Sequence, residues 1–496
     1  MTKPAVLLIG GLDPQGAAGL TTDIQTVSQL GGHPVPLVTC LTEQTVDGLR
    51  ALNPLSENEF INQLHCCTAD FKIAAVKIGL LPNAQIARIV VDYLQQNTLP
   101  VVLDPVRSAS SGGQAVDHAV IDVITEQLLP YIDLLTPNRP ELQCLAGSSD
   151  NQGMTNLLAK GVKACLLKDG HGSGQQSSDF YQDANEQFYL STRRYEYSVR
   201  GTGCVLASAV ATYLARQFVM REAVVLARSY LNQGYLAAPT VGPYQLFQHQ
   251  PLQLNKMILP AVHTTTTVTT AEKNQFPDCP KQLGIYPVVD SIAWLAKCFT
   301  EGIRTIQLRL KTEDKQLAQT EINKAVAIAA QYPDSRLFIN DHWQQAIDAG
   351  AYGVHLGQED LCQADLGAIA KAGLRLGIST HCYWELARAL TFNPSYIALG
   401  PIYQTDSKQM PWQPQGHAKI VEWLQILGKT PLVAIGGIDV SRAKALKKTG
   451  VGSVAMISAI TKAADYRAVC RELLALWPEA DKAKSTLNQT VQRVSM

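Results

Sequence analysis

Residues 305–311 read Thr-Ile-Gln-Leu-Arg-Leu-Lys. The first four make a short strand-like run. Beyond it, alternation sends Gln307, Arg309 and Lys311 to one side of an extended chain. Such a run, apolar and then abruptly polar, recurs through the C-terminal half. The other runs lie at 285–289, 337–339, 353–356, 374–378, 396–399, 432–435 and 453–457, with helix-like segments between most of them. Eight strands about 20–30 residues apart, in about 200 residues, are the arithmetic of a (β/α)8 barrel. A doubly wound open sheet has a similar period, but eight units favour closure.

In such a barrel the chemistry sits at the C-terminal ends of the strands. Those ends carry Gln307, Arg309 and Lys311, then Asn340 and Asp341. After them come 355–360 with Asp360, then 379–381 with Ser379 and His381. The sixth strand runs into 400–408, with Thr405, Asp406, Ser407 and Lys408. Gly436-Gly437 and Ile457-Ser458 close the series. Taken singly, each has a plain explanation: an Asp after a strand caps a turn, a Lys is solvated, a Gly-Gly is a tight turn. Together, two carboxylates, several cations and paired glycines converge on one rim. Asp341 and Asp360 suit Mg²⁺, which prefers oxygen ligands and often bridges to substrate phosphates. Gly437 and the amides of Ile457 and Ser458 follow strands 7 and 8, where barrels commonly bind a phosphate. The residues alone point to a Mg²⁺-dependent enzyme with a diphosphate and a second phosphate in one site.

The N-terminal half alternates strand and helix. Residues 6–10 are apolar. Leu20, Ile24, Val27 and Leu30 then mark one face of a helix. Strand-like runs follow at 35–41, 74–80, 101–103, 134–135 and 165–167, and helical ones at 60–64, 86–94 and 120–129. Alternating aromatics over 180–197 imply an antiparallel excursion, and 205–215 returns as a small-residue helix. This is the rhythm of a mostly parallel sheet covered by helices. Arg200-Gly201-Thr202-Gly203-Cys204 opens that last helix, so its amides form an anion hole at a helix N-terminus. Cys204 there is expected to have a lowered pKa; a buried Cys at a helix start is the alternative. Asn138 is placed to cap a helix with Pro140 in its first turn, or Glu141 to sit near Mg²⁺.

The seam between the halves is placed at 256–282, a stretch with a Thr run over 264–267 and prolines at 277 and 280. A strand from the Thr run is the alternative. The expected layout is a first domain over 1–255, a linker over 256–282, a barrel domain over 283–480 and a polar tail over 481–496.

The chain has 496 residues and is 46% hydrophobic, too long for one ordinary domain and too apolar for disorder. With 42 basic and 42 acidic residues the formal charge is zero, which argues against nucleic-acid and anionic-membrane partners. The 11 cysteines are scattered, odd in number and without a C-x-x-C pair, as expected of free thiols in a reducing compartment. The apolar run 5–9 is too short for a signal peptide, and no stretch reaches 18 apolar residues. A soluble cytoplasmic protein with small-molecule substrates is expected.

Over about 283–477 the chain resembles thiamine-phosphate synthase. The resemblance is carried by QLRLK (307–311), IND (339–341), GVHLGQED (353–360), GIST (377–380), GPIYQTDSK (400–408), AIGGI (434–438) and MISAI (456–460). It implies that Gln307, Arg309, Lys311, Asn340, Ser379 and Lys408 bind a pyrimidine diphosphate. Asp341 and Asp360 are then Mg²⁺ ligands, and Thr405, Ser407, Gly437, Ile457 and Ser458 bind a thiazole phosphate. Arg309, Lys311 and Lys408 are implied to stabilise the departing charge. The family usually reads Thr-Pro-Thr where this chain has Thr405-Asp406-Ser407. A related barrel, the thiazole tautomerase-like regulator, is the competitor.

Over about 5–238 the chain resembles hydroxymethylpyrimidine/phosphomethylpyrimidine kinase, of ribokinase-like αβα sandwich fold. The motifs are GLDPQGAAG (11–19), TDIQT (22–26), LTEQT (41–45), KIGLL (77–81), VLDPV (102–106), LTPNRPE (135–141), LLKDGHG (166–172) and RGTGC (200–204). The resemblance implies Asp23, Gln44 and Val106 at the pyrimidine and Lys168 at ATP phosphates. It also implies Asn138 and Glu141 near Mg²⁺, Gly201, Thr202 and Gly203 at the phosphates, and Cys204 at the reacting oxygen. Three departures stand out. Gln15 replaces a usual Ser. Ala17 replaces a Gly, which would strain a backbone with φ > 0. Asp169 adds a negative charge beside Lys168. The two halves would act in sequence in thiamine biosynthesis, with ATP and Mg²⁺. The rival is a non-catalytic pyrimidine-binding scaffold fused to an active barrel. Both families commonly form oligomers.

Overall fold

The computed structural model describes residues 2–45, 48–106, 117–170, 172–264, 275–404 and 412–478. The chain divides into two compact units, 1–268 and 269–496.

The first unit is built on strands β1 (Ala5–Leu12), β2 (His33–Thr45), β3 (Gly48–Pro54), β4 (Ile73–Ile78), β5 (Val101–Leu103), β6 (Leu134–Leu135), β7 (Ala164–Leu167), β8 (Gln176–Asp183) and β9 (Gln187–Arg193). A small hairpin follows, β10 (Thr240–Val241) and β11 (Tyr244–Gln245), then β12 (Ala261–His263). The sheet order is β12-β9-β8-β7-β6-β5-β4-β1-β2-β3. Strands β2, β1, β4, β5, β6 and β7 run parallel, while β8, β9, β12 and β3 are antiparallel additions at the edges.

Helices cover both faces. Helix α1 (Gly19–Gln29) packs with α7 (Thr202–Ala215), and α7 with α8 (Met220–Leu236). The other face carries α2 (Glu57–Asp70), α3 (Ala84–Gln95) and α4 (His118–Val123), with α5 (Arg139–Ala146) against α6 (Asn151–Ala159). Local chemistry sets the starts. Ser56 and Glu59 form a capping box on α2, and Asn138 and Glu141 form another on α5, where Pro140 occupies the first turn. From Val205 to Tyr213 helix α7 is buried on every side, which matches its mostly small and apolar sequence; each fully buried Leu or Val there contributes about 1.5–3 kcal/mol. Residues 120–129 are not one helix. After α4 the chain widens into a π turn at Ile124–Leu128 and then a 3-10 turn at Leu129–Tyr131, where Pro130 supplies no N–H to continue the ladder.

The second unit is a closed parallel barrel of eight strands: β13 (Gly284–Val289), β14 (Thr305–Leu308), β15 (Arg336–Asn340), β16 (Gly353–Leu356), β17 (Arg375–Thr380), β18 (Tyr396–Leu399), β19 (Leu432–Ile435) and β20 (Ser453–Met456). Its interior is packed by Tyr286, Phe338 and Tyr396, whose ring centroids lie 5.2–5.9 Å apart. Glycine on the neighbouring strands makes the room. A Cβ on Gly377 would fall 2.1 Å from the Tyr396 ring, and one on Gly353 would fall 2.6 Å from Phe338.

The expected linker is narrower than 256–282. Residues 261–263 pair with β9 as the sheet's last strand. On the other side, the Pro277 carbonyl accepts from Ser395 Oγ and the Asp278 carbonyl from Arg375 Nε, while Cys279 is buried in the barrel core. These partners sit just before or at the starts of β17 and β18, so 277–279 close the N-terminal end of the barrel. The Thr run beyond 264 lies outside the described residues. No described helix is long and apolar enough to cross a membrane.

Candidate functional site

The barrel's rim gathers the acidic pair. Asp341 follows β15 with a left-handed backbone, φ 61, a conformation that a short polar residue tolerates. Asn340 Nδ2 donates to the Asp341 carboxylate. Asp360 reaches the same place from the turn after β16, where its Oδ2 accepts the Gly357 N–H at 3.1 Å. The two carboxyls lie within hydrogen-bond reach of one another. Asp341 keeps one side open to solvent, yet the surrounding rim and the Asp360 charge push it up to about 6, against the pull of Arg309. Arg309 is half-buried and Lys311 exposed, both just past β14. Among the described residues no group of three or more His, Cys, Asp or Glu side chains could hold a metal.

Below this rim lies a buried polar row. Ser379 Oγ, on β17, is 2.8 Å from His355 Nε2, and His355 Nδ1 is 2.7 Å from Tyr396 Oη. Tyr396 Oη is 2.9 Å from Tyr286 Oη, and Gln307 lies beside both phenols. Burial, with Arg309 and His381 nearby, drives the imidazole down to about 4. Sequence reasoning missed this row. Its signal was two tyrosines and a histidine at alternate, inward positions of strands.

Gly437 has φ 63, and a Cβ there would fall 2.4 Å from the Gln404 carbonyl. The turn after β19 thus packs against the chain leaving β18, and Arg442 Nη1 donates to the Gly437 carbonyl at 2.6 Å. Ile457 and Ser458 are exposed just past β20. Thr405, Asp406, Ser407 and Lys408 lie outside the described residues.

In the first unit, the strand ends bring together a chain of buried charges. Lys168 Nζ lies 2.7 Å from Asp104 Oδ1 and 3.7 Å from Glu141 Oε2. Burial works against the Lys168 charge, but Asp104 and Glu141 hold its pKa above the ordinary value. Burial raises the Glu141 carboxyl, opposed by Lys168. Gly203, in the first turn of α7, comes so near that a Cβ would fall 3.2 Å from Asp104 and 3.4 Å from Lys168. Gly201 caps α7 with φ 75. Thr202 and Gly203 stay partly accessible at the helix start. Val106 and Glu141 line one small cavity with Gly79, Leu81 and Pro105.

Three expectations change here, and one residue acquires partners. Asp23 is fully buried: Lys77 Nζ lies 2.7 Å from one carboxylate oxygen, and Ser208 Oγ donates to the other at 2.5 Å. Burial raises the Asp23 carboxyl while Lys77 opposes it, and Lys77 is itself held above its ordinary value by Asp23, Cys204 and Asp104 against its own desolvation. Asp23 thus already carries one donor on each carboxylate oxygen and stays charged opposite Lys77. Cys204 has no lowered pKa. It is partly accessible, but enclosure pushes its thiol up to about 12, and Lys77 and the Gly19 amide offset only part of that. Ala17 escapes strain, because the positive-φ positions in its loop are Gly16 and Gly19. Asp169 does not burden Lys168: its Oδ2 pairs with Arg194 Nη2 at 2.7 Å and accepts the Ser178 N–H.

Gln44 is engaged at both ends, donating to Thr42 Oγ1 and accepting from Arg200 Nη2 at 3.1 Å. Arg200 also donates to Gln15 Oε1 at 3.2 Å, so the unusual Gln15 is tied to the RGTGC loop. Lys77, Asp104 and Arg200 were inside quoted motifs, but only the packing gives them partners.

A profile of the family described as thiamine monophosphate synthase matches residues 285–460, the barrel with that rim. The thiamine-phosphate synthase of Salmonella agona (strain SL483) is 53% identical over 201 residues, 40% of this chain and 95% of that protein. The chain belongs to the thiamine-phosphate synthase family. A second thiamine-phosphate synthase, from Serratia proteamaculans (strain 568), is 52% identical over 211 residues, 42% of this chain and 97% of its own length. Ahead of the synthase barrel, the profile of phosphomethylpyrimidine kinase matches residues 13–249. A solved phosphomethylpyrimidine kinase from Clostridium difficile 630 is 27% identical, with TM-score 0.42, covering 47% of this chain and 99% of that one. The protein is a fusion of a phosphomethylpyrimidine kinase domain and a thiamine-phosphate synthase domain, two transferases of thiamine biosynthesis.

Proposed function

We propose that the two domains catalyse consecutive steps. The first phosphorylates 4-amino-5-hydroxymethyl-2-methylpyrimidine and then its monophosphate with ATP. The second joins the resulting diphosphate to 4-methyl-5-(2-phosphoethyl)thiazole, forming thiamine phosphate and pyrophosphate. The observation that carries this is the meeting of Asp341, Asp360 and Arg309 at one barrel mouth, from turns that follow three different strands.

Two like-charged carboxyls held in reach of each other fit Mg²⁺, which takes one or two carboxylates and completes its shell with water and phosphate oxygens. The chemistry a bound Mg²⁺ supplies is neutralisation of diphosphate charge. Arg309, Lys311 and Asn340, with Lys408, orient the diphosphate and hold its oxygens as the exocyclic C–O bond breaks. The aminopyrimidine ring donates electrons to that carbon, the thiazole nitrogen supplies the new bond, and no protein nucleophile is required. Ser379 and Gln307 bind the pyrimidine end. Gly437, Ile457 and Ser458, with Thr405 and Ser407, receive the thiazole phosphate.

In the kinase domain, the amides of Gly201, Thr202 and Gly203 at the start of α7 receive the transferred phosphate, and Lys168 neutralises it. Glu141 and Asn138 lie towards the Mg²⁺ of ATP, and Gln44 and Val106 towards the pyrimidine. Cys204 stands at the reacting oxygen as a protonated thiol. With 11 cysteines outside any disulfide among the described residues, a cytoplasmic setting fits. The test is thiamine-phosphate formation by this chain alone from the pyrimidine alcohol, ATP, Mg²⁺ and thiazole phosphate. Product without added kinase is expected; ATP consumption without coupling, or no ATP consumption, refutes the respective half.

A further inference from the structure

Two cations stand at the start of α7, in different company. Lys168 lies by Gly203, 2.7 Å from Asp104 Oδ1 and 3.7 Å from Glu141 Oε2. Arg200 is the residue just before Gly201. Its Nη1 donates to Gln15 Oε1 at 3.2 Å and its Nη2 to Gln44 Oε1 at 3.1 Å. Its backbone is held too. The Arg200 N–H donates to the Gln245 carbonyl at 3.4 Å, and a Cβ on Gly201 would fall 2.4 Å from the Ala17 carbonyl. The RGTGC turn therefore lies directly on the loop that carries Gln15.

The Lys168 ammonium is bound by two carboxylates. The two amide oxygens on Arg200 are neutral, so they aim the guanidinium and cancel none of its charge. Gln44 is also the residue placed towards the pyrimidine. The Arg200 charge thus belongs to the acceptor end of the site, and Lys168 to the ATP end. A guanidinium presents its donors in a fixed planar fork that matches two oxygens of a phosphate monoester, a group with about −1.5 to −2 charge near pH 7. An alcohol in the same place is neutral and gains little from that fork.

We infer that Arg200 receives the phosphate of the pyrimidine monophosphate, and so binds the substrate of the second phosphorylation in preference to that of the first. This rests on the reading that Gln44 meets the pyrimidine. In the second step an oxygen of the bound monoester attacks the γ-phosphorus of ATP. The bond from that phosphorus to the β,γ-bridging oxygen breaks, and the pyrimidine diphosphate and ADP are the products. The attacking oxygen is already anionic, so no base has to remove a proton. The site has instead to bring two anions together, and Arg200 offsets the charge of the acceptor as Lys168 offsets that of the donor.

The test measures KM and kcat of the full chain for the pyrimidine alcohol and for its monophosphate, with ATP saturating. Arg200→Gln removes the charge. It is expected to raise KM for the monophosphate about tenfold or more beyond any change in KM for the alcohol. Arg200→Lys keeps the charge without the fork and is expected to recover part of the difference. A readout without turnover is calorimetric titration of the monophosphate into the chain in the absence of ATP, where Arg200→Gln is expected to weaken binding by a similar factor. If Arg200→Gln raises both KM values equally, or neither, Arg200 only braces Gln15 and Gln44, and the inference is overturned. If Arg200→Gln does not fold, Arg200→Lys decides, and equal KM changes for the two substrates overturn the inference. Gln44→Ala tests the reading beneath it. If that variant leaves both KM values unchanged, the placing of the pyrimidine fails. If it raises both while Arg200→Gln does not separate the two substrates, the role of Arg200 alone is refuted.

Discussion

The two sites solve the problem of charge in opposite ways. In the kinase domain, Asp23 has Lys77, and Asp104 and Glu141 share Lys168. Two lysines offset most of that charge from within, and what the site offers a phosphate is a helix start with its amides, beside Lys168. At the barrel rim, Asp341 and Asp360 face each other, with Arg309 the nearby cation acting on Asp341. Negative charge is left to be balanced by what binds. A pre-neutralised site can sit deep, because paired charges tolerate burial; a site of like charges must stay near water until its ligands arrive. Both still lie at the C-terminal ends of parallel strands, where strands end and loops begin.

That contrast can be tested at four places. The largest effect is expected from Asp341→Asn or Asp360→Asn. Thiamine-phosphate formation should fall by about a hundredfold or more, while ATP consumption with the pyrimidine alcohol stays unchanged. A parallel loss of kinase rate would mean that the domains do not act independently. Next is Lys77→Met, which strands a buried carboxylate. It should destabilise the kinase domain by about 3–5 kcal/mol, read as lost hydrogen-exchange protection in α1 and α7 with barrel strands unaffected. Retained protection would show that Asp23 is not ionised. Third, Gly377→Ala forces a methyl into the Tyr396 ring and should lower barrel stability by about 1–3 kcal/mol in denaturant titrations, leaving β1–β9 protected.

The smallest effect concerns Cys204. A thiol held near pKa 12 is almost wholly protonated at pH 8, so its thiolate fraction rises about tenfold per pH unit until that value. Peptide mapping after brief iodoacetamide treatment should find Cys204 far less alkylated at pH 8 than the exposed Cys66. Equal labelling would restore the low-pKa thiol expected from its place at a helix start.

Much of this architecture was legible in the chain. The eight barrel strands begin and end within two residues of the apolar runs at 285–289 through 453–457, because a strand buried on both faces is a continuous apolar stretch. The Asn138–Glu141 cap was equally visible, since a capping box is local chemistry. Asp341 and Asp360 were found as strand ends.

Partnership was another matter. Nothing in the order of residues says that Lys77 meets Asp23, that Arg194 takes up the charge of Asp169, or that His355 stands between Ser379 and Tyr396. Cys204 makes the point most sharply: its sequence position argues for a reactive thiol, and its enclosure reverses the sign. Period and capping depend on neighbours a few residues away, so they can be read along the chain. The pKa and hydrogen-bond role of a buried group depend on what the fold packs around it, from residues tens to hundreds of positions distant, and are decided only when the core closes.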